Sequence, residues 1–84
     1  MRDYEKLFVT AVHGKLKEKI KGKIYVEVNE EDELFIKITC YGDLKYESRF
    51  VNFSDKFIHG WTADYAVYEI TKEFKKFIMR NYFL

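Results

Sequence analysis

The stretch "KIYVEVNEEDELFIKITCYGDLKYESRF", Lys23 to Phe50, decides the fold, because its apolar residues recur with a period of two. In "KIYVEVN", Ile24, Val26 and Val28 fall on one face, with Tyr25, Glu27 and Asn29 on the other. In "LFIKITC", Leu34, Ile36, Ile38 and Cys40 oppose Phe35, Lys37 and Thr39. In "LKYESRF", Leu44, Tyr46, Ser48 and Phe50 alternate with Lys45, Glu47 and Arg49. Successive side chains of a strand point to opposite faces, so each run reads as a strand with one face turned to a core. The connections "EEDE" and "YGD" are of hairpin length, which predicts an antiparallel meander.

On either side of this region the period changes to that of a helix. From Asp3 to about Lys21, Tyr4, Phe8, Val12, Leu16 and Ile20 recur every four residues, flanked by Val9 and Ala11. That is the stripe of a helix of about five turns. Asp3 caps or charges its first turn, Lys17, Lys19 and Lys21 suit the negative end of its dipole, and Gly22 stops it. Gly14 marks a place for a break or a close contact. After the strands, "FSDKFIHG" offers Ser54 as an N-cap, Asp55 in the first turn and Gly60 as a residue able to take positive φ, describing a short helix. Thr62 caps a second, long helix with Asp64 in its first turn, and Trp61 is expected to fold over its entry as a hydrophobic staple. Ala63, Ala66, Val67, Ile70, Phe74, Phe77 and Ile78 share its core face. The expected fold is α+β, a single compact domain over residues 1–84 in the order α-β-β-β-α-α, with a three-stranded antiparallel meander packed against the N- and C-terminal helices. Exposed sheet edges allow a monomer or an edge-paired homodimer.

Composition limits the function classes. Apolar residues make up 48% and charged residues 35%, a globular balance rather than a disordered one. Aromatic residues reach 19%, and large rings build a core efficiently in a chain this short, so most should be structural. A formal charge of +1 excludes the uniform positive field of a dedicated nucleic-acid binder. The single cysteine, Cys40, cannot close a bridge within one chain, which points to a reducing compartment. Neither a signal peptide at "MRDYEKLFV" nor an apolar run near membrane-spanning length is seen, so the expected location is the cytoplasm, without membrane association.

No catalytic constellation emerges. His13, Cys40 and His59 are adequate zinc ligands by chemistry, but they lack the paired spacing of metal sites. Cys40 alternates with inward strand residues and reads as a buried small thiol. Ser48 and Ser54 have no adjacent base, and the isolated glycines form no phosphate-cradling loop. The clustered carboxylates sit in a hairpin turn, where water should screen them and leave their pKa values ordinary. The chain therefore reads as a non-enzyme with no cofactor and no metal.

Two surfaces remain. The first is the acidic run Glu30, Glu31, Asp32 and Glu33 at the first turn, either a solvated turn that keeps a hydrophobic hairpin soluble or an acidic knob for a basic groove on another protein. The second is the outer side of the last helix, where Tyr65, Tyr68 and Met79 accompany Lys72, Lys75 and Lys76. Charged outward positions are ordinary on a surface helix. Lysines and tyrosines together also suit phosphate contact and base stacking, yet Tyr and Met favour a protein partner, and Glu69 and Glu73 weaken phosphate attraction.

The C-terminal third, "FSDKFIHGWTADYAVYEITKEFKKFIMRNYFL", resembles short open reading frames carried by phages and mobile elements of low-GC Gram-positive bacteria. In these a lysine-rich, aromatic-rich chain ends in a helix entered through a G-x-[ST]-x-D turn, here Gly60, Trp61, Thr62, Ala63 and Asp64. Small size, the order of helix, strands and helix, and an acidic hairpin are also similar to some anti-CRISPR proteins that inhibit type II Cas nucleases. A charge of +1 departs from the strongly acidic DNA mimics. The resemblance implies a protein that binds and inhibits a host defence protein inside the bacterial cell, most specifically a Cas9 nuclease. The alternative is a small nucleic-acid-binding accessory protein using the Lys/Tyr helix face.

Overall fold

The computed structural model describes residues 1–40 and 42–82. Its elements follow the expected order: α1 (Asp3–Lys19), β1 (Lys23–Val28), β2 (Leu34–Cys40), β3 (Leu44–Phe50), α2 (Phe53–Ile58) and α3 (Ala63–Tyr82). The sheet is an antiparallel meander in the order β1-β2-β3, with Ile24 opposite Ile38 and Ile38 opposite Tyr46. That register puts every inward residue of one strand beside an inward residue of the next, so a single apolar face forms. Of the predicted Tyr41–Asp43 turn, Tyr41 lies outside the described residues. So do Phe83 and Leu84 at the end of the C-terminal segment.

One face of the sheet is covered by α1 and α3. Phe8, Val12 and Leu16 of α1 and Ala66, Val67, Ile70 and Phe74 of α3 are buried with Val26, Val28, Leu34, Ile36, Ile38, Cys40 and Tyr46 of the strands. Leu16, Leu34, Ile36, Ile38 and Ile70 have no accessible surface. Truncating one of these to alanine removes its burial and leaves a cavity, a loss of about 2–5 kcal/mol. The core thus consumes one stripe of each long helix and leaves the outer stripe of α3 unused.

Several local expectations need correction. The first helix stops at Lys19, not Lys21, because Ile20 turns to extended geometry (φ −130°, ψ 129°) and packs on the core edge. Asp3 charges the first turn; the reciprocal cap comes from Glu5, whose carboxylate accepts the Arg2 backbone N–H at 2.7 Å. Gly14 breaks nothing and touches nothing, since a Cβ there would meet no atom within 4 Å. Gly22 is the glycine with a steric role: at φ +151° its added Cβ would lie 2.5 Å from the Thr39 carbonyl oxygen.

Ser54 is not the cap of α2. Asn52 takes that position in left-handed geometry (φ 56°, ψ 48°), and Ser54 lies inside the first turn. Thr62 does cap α3, its hydroxyl accepting the Tyr65 N–H at 3.2 Å, and Gly60 has the expected positive φ of 92°. Trp61 sends its indole N–H to Glu69 of α3 at 3.3 Å, but it does not sit as a simple staple. Its ring stacks on Phe8 of α1 at 5.5 Å and leans on Phe50 of β3 at 5.1 Å and Phe53 of α2 at 6.3 Å. The turn between α2 and α3 is therefore held by an aromatic cluster whose rings come from α1, β3 and α2.

Candidate functional site

The acidic turn and the outer face of α3 differ in how far the fold itself uses them. In the turn, Asn29 acts as an organiser: its side-chain oxygen accepts the N–H groups of Glu31 at 3.1 Å and Glu33 at 3.0 Å. This is the local bonding by which asparagine replaces a backbone turn. Asp32 follows in left-handed geometry at φ 59° and is turned toward α2. Its carboxylate accepts the Ser54 N–H at 3.1 Å and the Ser54 hydroxyl at 2.7 Å, while its carbonyl accepts the Phe53 N–H at 2.8 Å. A carboxylate and a carbonyl thus satisfy N–H groups of the first turn of α2 that no helix bond reaches.

Glu33 is held as well. Its carboxylate accepts the Asn29 side-chain N–H at 3.0 Å and the Arg49 guanidinium at 3.2 Å. These contacts, the asparagine bond first, hold its pKa below the ordinary carboxylate range. The expectation that water leaves the carboxylates of this turn ordinary fails at this residue, because specific donors replace the water. Of the four acids, Glu30 and Glu31 are the ones whose side chains stay exposed, and neither side chain has a partner among the described residues.

The outer face of α3 has the opposite character. Tyr65, Tyr68 and Met79 are 57%, 64% and 61% exposed, and Lys72, Lys75 and Lys76 are exposed beside them. At 100° per residue these six occupy one side of the helix, opposite Ile70 and Phe74. The two tyrosine rings lie 6.3 Å apart and tilted by 56°, forming one aromatic step. Lys76 pairs with Glu73 at 3.5 Å, whereas Lys72 and Lys75 are in no ion pair among the described residues. The other two acids of α3 are directed elsewhere: Asp64 meets Lys15 at 2.8 Å and Glu69 takes the Trp61 indole. The Asp64 contact raises the Lys15 pKa, by hydrogen bond and by charge. An exposed pair of aromatic rings flanked by unpaired lysines is the local result.

The remaining candidates are accounted for locally. His13 Nε2 lies 3.1 Å from the Ile24 carbonyl and ties α1 to β1, while His59 Nδ1 lies 2.8 Å from the Asp55 carbonyl at the end of α2. Cys40 is buried, and desolvation pushes its thiol pKa up, away from the reactive thiolate. Among the described residues no group of three or more His, Cys, Asp or Glu side chains is placed to hold a metal ion. No helix there is long and apolar enough to cross a membrane.

Two features escaped the reading of the sequence. One is the uncovered face of the sheet, where the Arg49 guanidinium sits 4.5 Å over the Phe35 ring and Tyr25 meets the same ring at 6.3 Å. Alternation along the strands placed these three residues outward, but their contact depends on register. The other is a groove between Lys19, Ile20 and Lys21 at the end of α1 and Thr71, Phe74, Lys75, Ile78 and Met79 of α3. Its only sequence signal is an isoleucine between two lysines at a helix end. With this geometry established, no protein-family model, curated protein or solved structure matches the chain.

Proposed function

We propose that this chain is a non-enzymatic protein of a phage or mobile element that binds and inhibits a host defence protein, a type II CRISPR Cas9 nuclease being the most specific target. The observation that carries the reading is the outer face of α3, where Tyr65, Tyr68 and Met79 are exposed beside Lys72, Lys75 and Lys76. Tyrosines contribute large contact area at low entropic cost and dominate interface energies when buried by a partner. The resemblance of residues 53–84 to mobile-element proteins supports the class of partner. Glu30 and Glu31, the acids with unoccupied side chains, provide a second contact for basic residues of the target.

The test is cleavage of target DNA by guide-loaded Cas9 in the presence of increasing amounts of the protein, over a panel of Cas9 variants. The reading expects loss of cleavage at near-stoichiometric protein for at least one of them, and recovery of cleavage with the double variant Tyr65→Ala, Tyr68→Ala. Full cleavage across the panel at large excess would overturn the nuclease assignment.

A second reading is favoured by Lys72 and Lys75 lying beside a tyrosine pair with no ion pair among the described residues, a combination that also suits single-stranded nucleic acid. It expects DNA or RNA affinity that falls steeply with salt, as released counterions require. Absent or salt-insensitive binding rejects it.

A further inference from the structure

The groove beside the outer face of α3 has a chemistry of its own. Its volume is about 580 Å³, its floor is the buried or half-buried Ile20, Phe74 and Ile78, and its rim carries the exposed Met79, Lys19, Lys21 and Lys75. None of these three lysines is in an ion pair among the described residues. Glu73, on the same helix as Lys75, is taken by Lys76 at 3.5 Å. The Thr71 hydroxyl in the groove wall is the one buried side-chain oxygen or nitrogen among the described residues that lacks a hydrogen-bond partner. An apolar trough with cations on its rim is complementary to an apolar ridge flanked by anions.

We propose that this groove is a docking site for an acidic amphipathic helix of a partner protein, with its apolar ridge on Ile20, Phe74, Ile78 and Met79 and its carboxylates on Lys19, Lys21 and Lys75. The dimensions agree with that occupant. From Thr71 to Met79 the helix rises about 12 Å, which matches two turns of a partner presenting residues i, i+3 or i+4, and i+7. An acyl chain needs a cavity that encloses most of its surface, whereas three lysines beside apolar side chains match the carboxylates and apolar ridge of an acidic amphipathic helix. The inference goes beyond nuclease inhibition and does not depend on it, sharing with the outer face only Lys75 and Met79.

The experiment uses the full chain, isotopically labelled, and a fluorescent helical probe peptide with leucines at i, i+3, i+4 and i+7 flanked by glutamates. A second peptide replaces each glutamate by lysine. Saturable binding of the glutamate peptide is expected, with amide shifts at Ile20, Thr71, Phe74 and Ile78, and with the lysine peptide at least about tenfold weaker, since like charges across an interface are strongly disfavoured. Lys75→Glu and Met79→Glu, both at exposed positions, should each weaken the glutamate peptide by about tenfold with the fold intact by circular dichroism. Tyr65→Ala, outside the groove, should leave peptide binding unchanged. No binding, equal binding of the two peptides, or shifts confined to the open sheet face would overturn the proposal. So would oleate shifting these residues while the glutamate peptide does not, which would make the groove an acyl site.

Discussion

The acidic turn and the outer face of α3 are both charged, and both look from the sequence like contact surfaces, yet the fold treats them in opposite ways. Asp32 and Glu33 have their carboxylates engaged by Ser54, Asn29 and Arg49, so half of the acidic run is internal fastening. Lys72 and Lys75 have no such partner among the described residues, and the rings of Tyr65 and Tyr68 lie 6.3 Å apart on the exposed face. The composition of a charged segment therefore says little about its use. What separates a fastening from a contact surface is whether the polar groups already have partners.

The comparison breaks first at Asp32. Asp32→Ala removes the acceptor of the Ser54 N–H and hydroxyl in the first turn of α2 while keeping the carbonyl that accepts the Phe53 N–H, with an expected loss of about 2–3 kcal/mol in urea unfolding. Glu30→Ala and Glu31→Ala, at exposed positions in the same turn, should stay within about 0.5 kcal/mol of the parent. Equal effects at all four acids would erase the distinction within the turn.

A smaller effect calibrates the scale away from both regions. Gly14 lies exposed in α1 with open space where a Cβ would be, so Gly14→Ala should stabilise the protein by about 1 kcal/mol. The pH dependence then sharpens the assignment of Glu33. Its folded pKa is lowered, by the Asn29 bond first and by Arg49, so its contribution is present above the ordinary carboxylate range and is lost as pH falls through the lowered value. Denaturation followed from about pH 5 to pH 2 should show this loss, and Glu33→Gln should flatten that part of the profile. The smallest change is expected on α3, where Lys72→Glu and Lys75→Glu break no ion pair among the described residues and should alter stability by no more than about 0.5 kcal/mol.

Most of the fold was legible because it rests on periodicity. The alternation in β1, β2 and β3 and the core stripes of α1 and α3 follow from which residues must leave water, and the burial of Ile36, Ile38, Leu16 and Ile70 agrees with that rule. The Thr62 cap and Gly60 turn were equally local. Contacts between segments far apart in the chain were not legible. Asp32 and Ser54 are 22 residues apart, and nothing in either neighbourhood says that the carboxylate replaces the serine as the device that starts α2. Trp61 reads locally as a staple, whereas its ring partners come from α1, β3 and α2. The outer face of α3 was visible as six residues on one side of a helix, but the free state of Lys72 and Lys75 depends on where Asp64, Glu69 and Glu73 find their partners. The groove needed both α1 and α3 in place before its floor and rim existed.

On the proposed function, α3 would meet the partner while the acidic turn chiefly holds the fold. The most direct measurement is calorimetric titration of guide-loaded Cas9 with three proteins: the parent, Glu30→Lys with Glu31→Lys, and Lys72→Glu with Lys75→Glu in a Tyr65→Ala, Tyr68→Ala background. The account predicts that the first two bind within about tenfold of each other, as rim charges permit, while the third, still folded, loses binding altogether. Binding kept by the α3 variant and abolished by reversing Glu30 and Glu31 would contradict it and return the acidic turn to the role of contact surface.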